Sequence, residues 1–458
     1  MINNRNTIKN GEHIKLTIKR MGINGEGIGY YQKTLVFIPK ALPGEKVEAE
    51  ITDVAHNFLR AKLINIELKS KLRNPNPPIL TDEVGGLELA HLIYPQQLKY
   101  KRLMVTESLR HFRPLGYRDY EVKPTIGMEN PWHYRNKAQF QIRKVNNKII
   151  CGLYQTGTHK VIDSLAMPTQ MELTLDVLKR LIKIIAELDI PIYDPEHNSG
   201  IIKTLVVRES VAFHNVQLTF VTNSRKLLHK RQLLEKIHTK IPEIISVSQN
   251  FNPGDNQLVW GDETKLVDGK EYLQEKLLGH IFNLSPRAFF QLNTKQAAKL
   301  YELAINALDP QTNDIVIDAY SGVGTIGISL ANQVKQVVGS EIIPEAVADA
   351  NLNVKENHLT NVKYEVGATE ELYPQWLQDG LKPTALIVDP PRTGLDQNLI
   401  KFINRSKPAK FVYVSCNPST LARDLKTLTK VYKVKYIQPV DMFPQTPHVE
   451  AIVKLIRK

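Results

Sequence analysis

Cysteine is almost absent: Cys151 and Cys416 are the only two among 458 residues. Two isolated thiols exclude a disulfide framework and a cysteine-rich metal site. The sequence also lacks any run of about 18 apolar residues, so no membrane-spanning helix is expected. Residues 1–11 are polar and Asn-rich, without the apolar stretch of a secretory signal. Neither an internal repeat nor a low-complexity tract interrupts the chain. These absences point to a soluble, cytoplasmic protein with no membrane partner. What is present, 42% apolar residues in a chain of this length, is enough for several cores, and roughly three domains are expected.

Positive charge is concentrated at one end. Residues 1–150 carry 25 Lys and Arg against 14 Asp and Glu, whereas residues 151–458 carry 35 against 33. A surplus of 11 in the first third attracts a polyanion such as RNA with strong salt dependence. A merely solubilising surface is the alternative.

Residues 12–67 alternate apolar and polar positions between Gly and Pro signals, which predicts a small antiparallel β-barrel. Gly22, Gly25, Gly27 and Gly29 crowd one connection, where backbone is expected to approach a ligand. Residues 70–90 read as a Pro/Asn/Gly-rich linker. A helical period over 94–112 then leads into mixed strands and helices up to about 285. From 286 the pattern becomes strand–helix alternation, with strands expected at 314–320, 336–341, 362–367, 384–391 and 410–416. Their nearly continuous apolar runs predict buried parallel strands, hence a doubly wound α/β domain.

Such sheets bind ligands at the carboxyl ends of their strands. The first strand ends in Asp318-Ala319-Tyr320-Ser321-Gly322-Val323-Gly324, and the second ends in Glu341, twenty-three residues after Asp318. The glycines let backbone N–H groups face a ligand, and the carboxylate suits ribose hydroxyls. Gly322, Gly324 and Gly327 equally satisfy a dinucleotide fingerprint, so a dehydrogenase competes at this point. The fourth and fifth strands, ending in Asp389-Pro390-Pro391-Arg392 and Ser415-Cys416-Asn417-Pro418, favour a methyltransferase that attacks an unreactive carbon. Carbon 5 of uracil accepts a methyl group only after a thiolate has added to carbon 6, and a base must then remove the carbon-5 proton. Cys416 at a strand end and Glu450 before a C-terminal strand are the candidates. Taken singly, each of these residues also has an ordinary structural reading.

In sequence order, "RMGINGEGIGYYQKTLVFIPKALPGEKVEAEI", "SPRAFFQLN", "DAYSGVGTIGISLA", "DPPRTGLD", "SCNPSTLARDL" and "DMFPQTPHVEAIVKL" resemble segments of the bacterial RNA uracil-C5 methyltransferases of the 23S ribosomal RNA type. The resemblance implies an OB-like TRAM barrel at 1–69, a linker and mixed α+β central domain at 70–285, both RNA-binding, and a Rossmann-like methyltransferase domain at 286–458. It further implies S-adenosylmethionine as cofactor, Cys416 as nucleophile and Glu450 as base. Gln291, Tyr320, Glu341 and Asp389 would contact the cofactor. Phe289 would stack near the target base, while Arg135 and Lys137 would contact phosphate. Many relatives hold an iron–sulfur cluster. The aligned positions here are Pro78, Val84, Leu87 and Met167, so no cluster and no metal are expected. The preferred substrate is 23S rRNA, with the tRNA thymine loop as the alternative and a monomer as the default. An amino methyltransferase and a non-catalytic RNA-binding factor remain the competing readings.

Overall fold

The computed structural model describes residues 8–78, 84–254 and 258–458. Residues 79–83 of the expected linker lie outside them, as does the polar start of the chain at 1–7. Short, largely apolar runs buried on both sides form the parallel strands β1 (Ile315–Ala319), β2 (Gln336–Glu341), β4 (Ala385–Val388) and β5 (Lys410–Ser415), while β3 (Val362–Val366), at the sheet edge, alternates buried and more exposed positions. Two further strands, β6 (Tyr432–Val440) and β7 (Glu450–Arg457), add antiparallel. The sheet order is β3-β2-β1-β4-β5-β7-β6. The order reverses between β1 and β4, which opens a crevice at their carboxyl ends.

Helices cover both faces. One core lies beneath α2 (Thr294–Leu308), α3 (Thr325–Leu330) and α4 (Pro344–Glu356). The other lies beneath α1 (Tyr94–Phe112), α5 (Thr369–Gln378), α6 (Gln397–Ser406) and α7 (Pro418–Leu428). Helix α1 was expected in the central domain. Instead it buries Val105 and Leu109 against this sheet, and the chain after it bridges to β6 at Ile437 and Val440. The hairpin Leu273–Leu277/His280–Leu284 also packs into the core beneath α2–α4, tied by Asn283 N–H to Asn353 Oδ1 at 2.7 Å. The boundary expected at 286 therefore falls inside this unit.

The central unit is a seven-stranded mixed sheet from Lys137 to Gly269, with helices Glu172–Glu187 and Lys230–Lys240 packed into its core. Val84, Leu87 and Met167, aligned with cluster cysteines in relatives, are buried in that core beside Cys151 and Phe140. Ordinary apolar packing thus anchors the described end of the linker. Its other end is held by a two-pronged ion pair from Arg73 to the buried Glu45, 2.7 and 2.8 Å.

A six-stranded barrel sheet spans His13 to Leu68. It is antiparallel except at Leu35–Phe37, which runs parallel to Phe58–Arg60. Its glycine-rich connection lies close to other parts of the protein. A Cβ on Gly27 would sit 2.5 Å from the Ala41 carbonyl oxygen, and one on Gly25 would sit 2.6 Å from Leu89. Tyr100 of α1 donates to the Gly22 carbonyl at 2.7 Å. Gly27 thus permits close approach within the barrel, and Gly25 close approach of the barrel to Leu89.

Candidate active site

Antiparallel pairing of β5 with β7 ends at Ser415 opposite Ala451. Cys416 follows Ser415 and Glu450 precedes Ala451, so both stand at this end of the ladder, and the Glu450 carboxyl helps raise the Cys416 thiol. Pro418 at the first helical position and the Asn417 side chain, accepting from Ser419 N–H at 3.0 Å, start α7 immediately after the thiol. Asn417 Nδ2 also donates to the Arg392 carbonyl at 2.9 Å, and Thr420 Oγ1 donates to it at 3.2 Å. The loop after β4 is thereby fastened beside Cys416. The Asn-Pro pair carried a readable capping signal, but its second bond across to Arg392 did not.

Cys416 is half-buried, and burial, Glu450 and Asp389 together push its thiol up to about 11 against a smaller opposing effect of Arg392. A strand-end position promises a reactive thiol, but this pocket holds it protonated at neutral pH. Cys151 is fully buried, and burial foremost raises its thiol well above the usual range, so it is inert. Glu450 is buried, its Oε2 has no hydrogen-bond partner, and burial followed by Asp389 raises its carboxyl. Asp389 is raised in turn by burial and then Asp318. Asp318, accepting from Gly327 N–H at 2.9 Å, is pushed up to about 7 by burial. Tyr301 of α2 was not foreseen. Burial foremost, then Asp389, raises its hydroxyl well above its ordinary range, and it bonds toward Thr325 and Gln291.

Beside this group, Glu341 accepts from Gly322 N–H at 3.1 Å and Ile343 N–H at 3.0 Å. A Cβ on Gly322 (φ +54°) would meet nothing within 4 Å, so this turn faces open space. Ile342 and Ile343 are exposed next to the carboxylate. The backbone of Tyr320 is left-handed (φ +62°), and its ring packs on the α1, α5–α7 face. Gln291 is buried below the loop that presents Phe289, 64% exposed, to solvent. Arg135 and Lys137 lie on the neighbouring central sheet, where Lys137 stands opposite the buried Arg208. Burial, then Arg208 and Arg135, lowers Lys137 to about 7. Lys137 is thus more enclosed than a solvated phosphate clamp would be.

This donor set fits S-adenosylmethionine. Glu341, anchored by the Gly322 and Ile343 N–H groups, offers a carboxylate suited to ribose hydroxyls, and the two exposed isoleucines beside it offer an apolar shelf for a planar base. Fold and site define a Rossmann-like, S-adenosylmethionine-dependent methyltransferase. Residues 93–458 match the family described as tRNA (Uracil-5-)-methyltransferase, and residues 8–64 match the TRAM domain. The chain belongs to this RNA uracil methyltransferase family. It is 51% identical to an uncharacterized RNA methyltransferase of Lactiplantibacillus plantarum, across 99% of this chain and 94% of that one. An uncharacterized RNA methyltransferase of Enterococcus faecalis is 46% identical, across 98% and 99%. The structure resembles that of Pyrococcus abyssi tRNA (uracil-54, C5)-methyltransferase in complex with S-adenosyl-L-homocysteine, with a TM-score of 0.79 and 28% identity over 97% of this chain and 100% of that one. Among the described residues no helix is long and apolar enough to cross a membrane.

Proposed function

We propose that this protein methylates carbon 5 of a uridine in 23S ribosomal RNA through a transient bond between Cys416 Sγ and carbon 6. The observation that carries the reading is that Cys416 and Glu450 flank the Ser415–Ala451 pair that ends the β5–β7 ladder, with Glu450 Oε2 buried and lacking a hydrogen-bond partner. S-adenosylmethionine supplies an electrophilic methyl group there. The Cys416 proton leaves to water at the open strand end as Sγ bonds to carbon 6, making carbon 5 nucleophilic. Once carbon 5 carries the methyl group, Glu450 takes its proton and the Sγ–C6 bond breaks, restoring the ring double bond and the thiolate. A carboxylate raised by burial is a stronger base than an ordinary one, which suits this role. In this scheme Gln291, Glu341, Asp389 and the Tyr320 backbone hold the cofactor, and Phe289 stacks on the extruded base. Every group comes from one chain, so a monomer suffices, and the work is cytoplasmic because the RNA is.

A large folded RNA matches a barrel and a basic first third placed beside the catalytic unit. The similarity to a tRNA uracil-54 enzyme favours the tRNA thymine loop as a second reading. Incubation with unmodified 23S rRNA and unmodified tRNA, followed by nucleoside mass spectrometry, decides between them. Near-stoichiometric 5-methyluridine is expected in the ribosomal RNA and under a twentieth of that in tRNA. The reverse ratio transfers the assignment to tRNA.

Arg135 and Lys137 contact phosphate in this reading. With Lys137 near 7, raising the pH from 6.5 to 8.5 removes its charge, so RNA affinity falls over that window. Replacing both residues by Met should weaken binding, abolish that pH dependence, and flatten the log-affinity versus log-salt slope by roughly 1.5. An unchanged slope would return both to the role of surface charges.

A further inference from the structure

The loop that carries Phe289 is built by two domains. Its first residue, Ser285, is held from the catalytic side, donating from Oγ and N to Asp349 Oδ2 at 2.6 and 3.2 Å. From the central sheet, Arg208 donates to the Ser285 carbonyl at 3.3 Å and to the Ala288 carbonyl. Asn136 N–H donates to the Leu292 carbonyl at 2.8 Å, and its side chain donates to the Gln291 carbonyl at 3.0 Å. Phe290, only 3% exposed, packs near Phe282 with ring centroids 6.2 Å apart. Between these anchors Phe289 turns outward, as does Arg287 two residues before it.

Arg208 is 3% exposed; it donates to two backbone carbonyls, and Asp349 acts on it through space without a hydrogen bond. Burying a guanidinium without a hydrogen-bonded carboxylate is costly even with Asp349 nearby, and a core of ordinary apolar residues would avoid that cost. What a guanidinium provides, and a lysine cannot, is a rigid fork that grips two carbonyls at once. We infer that Arg208 is a positioning residue for base capture, fixing the Ser285–Ala288 turn so that Phe289 is presented ready to stack on the extruded uracil. The inference rests on the stacking role given to Phe289 above. It also explains why the neighbour of Arg208 across the sheet is Lys137: the strand pair that meets the RNA backbone is the one that holds the base-stacking loop, so docking and base capture share one rigid support.

The test is a double-mutant cycle on the full chain, with Phe289→Ala, Arg208→Met and the pair, read as kcat and KM for RNA. Dissociation constants for S-adenosylhomocysteine serve as the folding control. Phe289→Ala should lower kcat/KM by about 10- to 100-fold, the range of one lost stacking contact. Arg208→Met should cost a similar factor while S-adenosylhomocysteine binds within twofold of wild type. Added to Phe289→Ala, it should cost no more than about twofold further, because the ring it positions is gone. Arg208→Lys, which keeps the charge but not the fork, should recover less than a third of the loss. If Phe289→Ala leaves kcat/KM unchanged, the stacking role is wrong. If Phe289→Ala is damaging and Arg208→Met multiplies its loss in full, stacking stands and the positioning role of Arg208 is overturned.

Discussion

Replacing Cys416 by Ala is expected to abolish methylation, with a fall in kcat on the order of 10⁴-fold or more, the scale seen when a covalent nucleophile is removed. Without addition at carbon 6, carbon 5 of uracil stays an unreactive vinylic carbon, and correct placement beside the methyl donor does not compensate. Serine should do no better, since burial and the nearby carboxyls that already disfavour a thiolate would disfavour an alkoxide more. RNA containing 5-fluorouridine separates this chemistry from every non-covalent alternative. Fluorine at carbon 5 cannot leave as a cation, so the wild-type protein should become trapped in a complex that survives denaturation, and Cys416→Ala should form none. Cys151→Ala should trap as wild type does, because that thiol is sealed in the central core. S-adenosylhomocysteine affinity should be unchanged in all three proteins. A Cys416→Ala enzyme within tenfold of wild type would end the covalent mechanism, whatever the fold.

Much of this site was legible in the sequence, for a physical reason. Parallel strands are buried on both faces, so Ile315–Ala319 and Lys410–Ser415 stand out as apolar runs, and the chemistry of the fold gathers at the polar residues that end them. Cys416 and Asp389 could therefore be placed before any coordinates. The Cys416–Glu450 register could only be guessed at, since it depends on β7 joining the sheet antiparallel at the edge of β5. Amphipathic periodicity told that α1 buries one face, but not against what. The answer lies in Val105 and Leu109 against the catalytic sheet, and in the buried ion pair of Lys101 with Asp441, 340 residues away. The glycines of the barrel were legible as places of close approach, but not what approaches them, because protein and ligand demand the same missing Cβ. Arg208 and Asn136 left no local signature at all, because their partners are backbone carbonyls on a loop that touches them only after two domains dock.

Glu450→Gln is expected to stall the reaction after methyl transfer instead of before it. The amide cannot take the carbon-5 proton, so the Sγ–C6 bond persists, and turnover should fall by about 10²- to 10⁴-fold while a covalent protein–RNA complex accumulates on ordinary uridine-containing RNA. Intact mass measurement should find that complex carrying the added methyl group. Slow turnover with no accumulated complex would assign proton removal to another group, with Asp389 the nearest candidate. The same substitution should also change how stability depends on pH. Burial foremost, then Asp389, raises the Glu450 carboxyl above its unfolded value. Its contribution to folding is accordingly complete below the unfolded value and is lost as pH rises through the folded one. Glutamine carries no such liability, so the melting temperature of Glu450→Gln relative to wild type should climb between pH 5 and pH 9. Each pKa unit of elevation corresponds to about 1.4 kcal/mol, or roughly 3–6 °C in a domain of this size. A mutant that gains heat resistance at alkaline pH while losing catalysis would show that the protein tolerates an unpaired carboxyl in its core because the reaction requires a base there. A difference in melting temperature that stayed flat with pH would mean that Glu450 ionises as an ordinary surface acid does, and is too weak a base for the task.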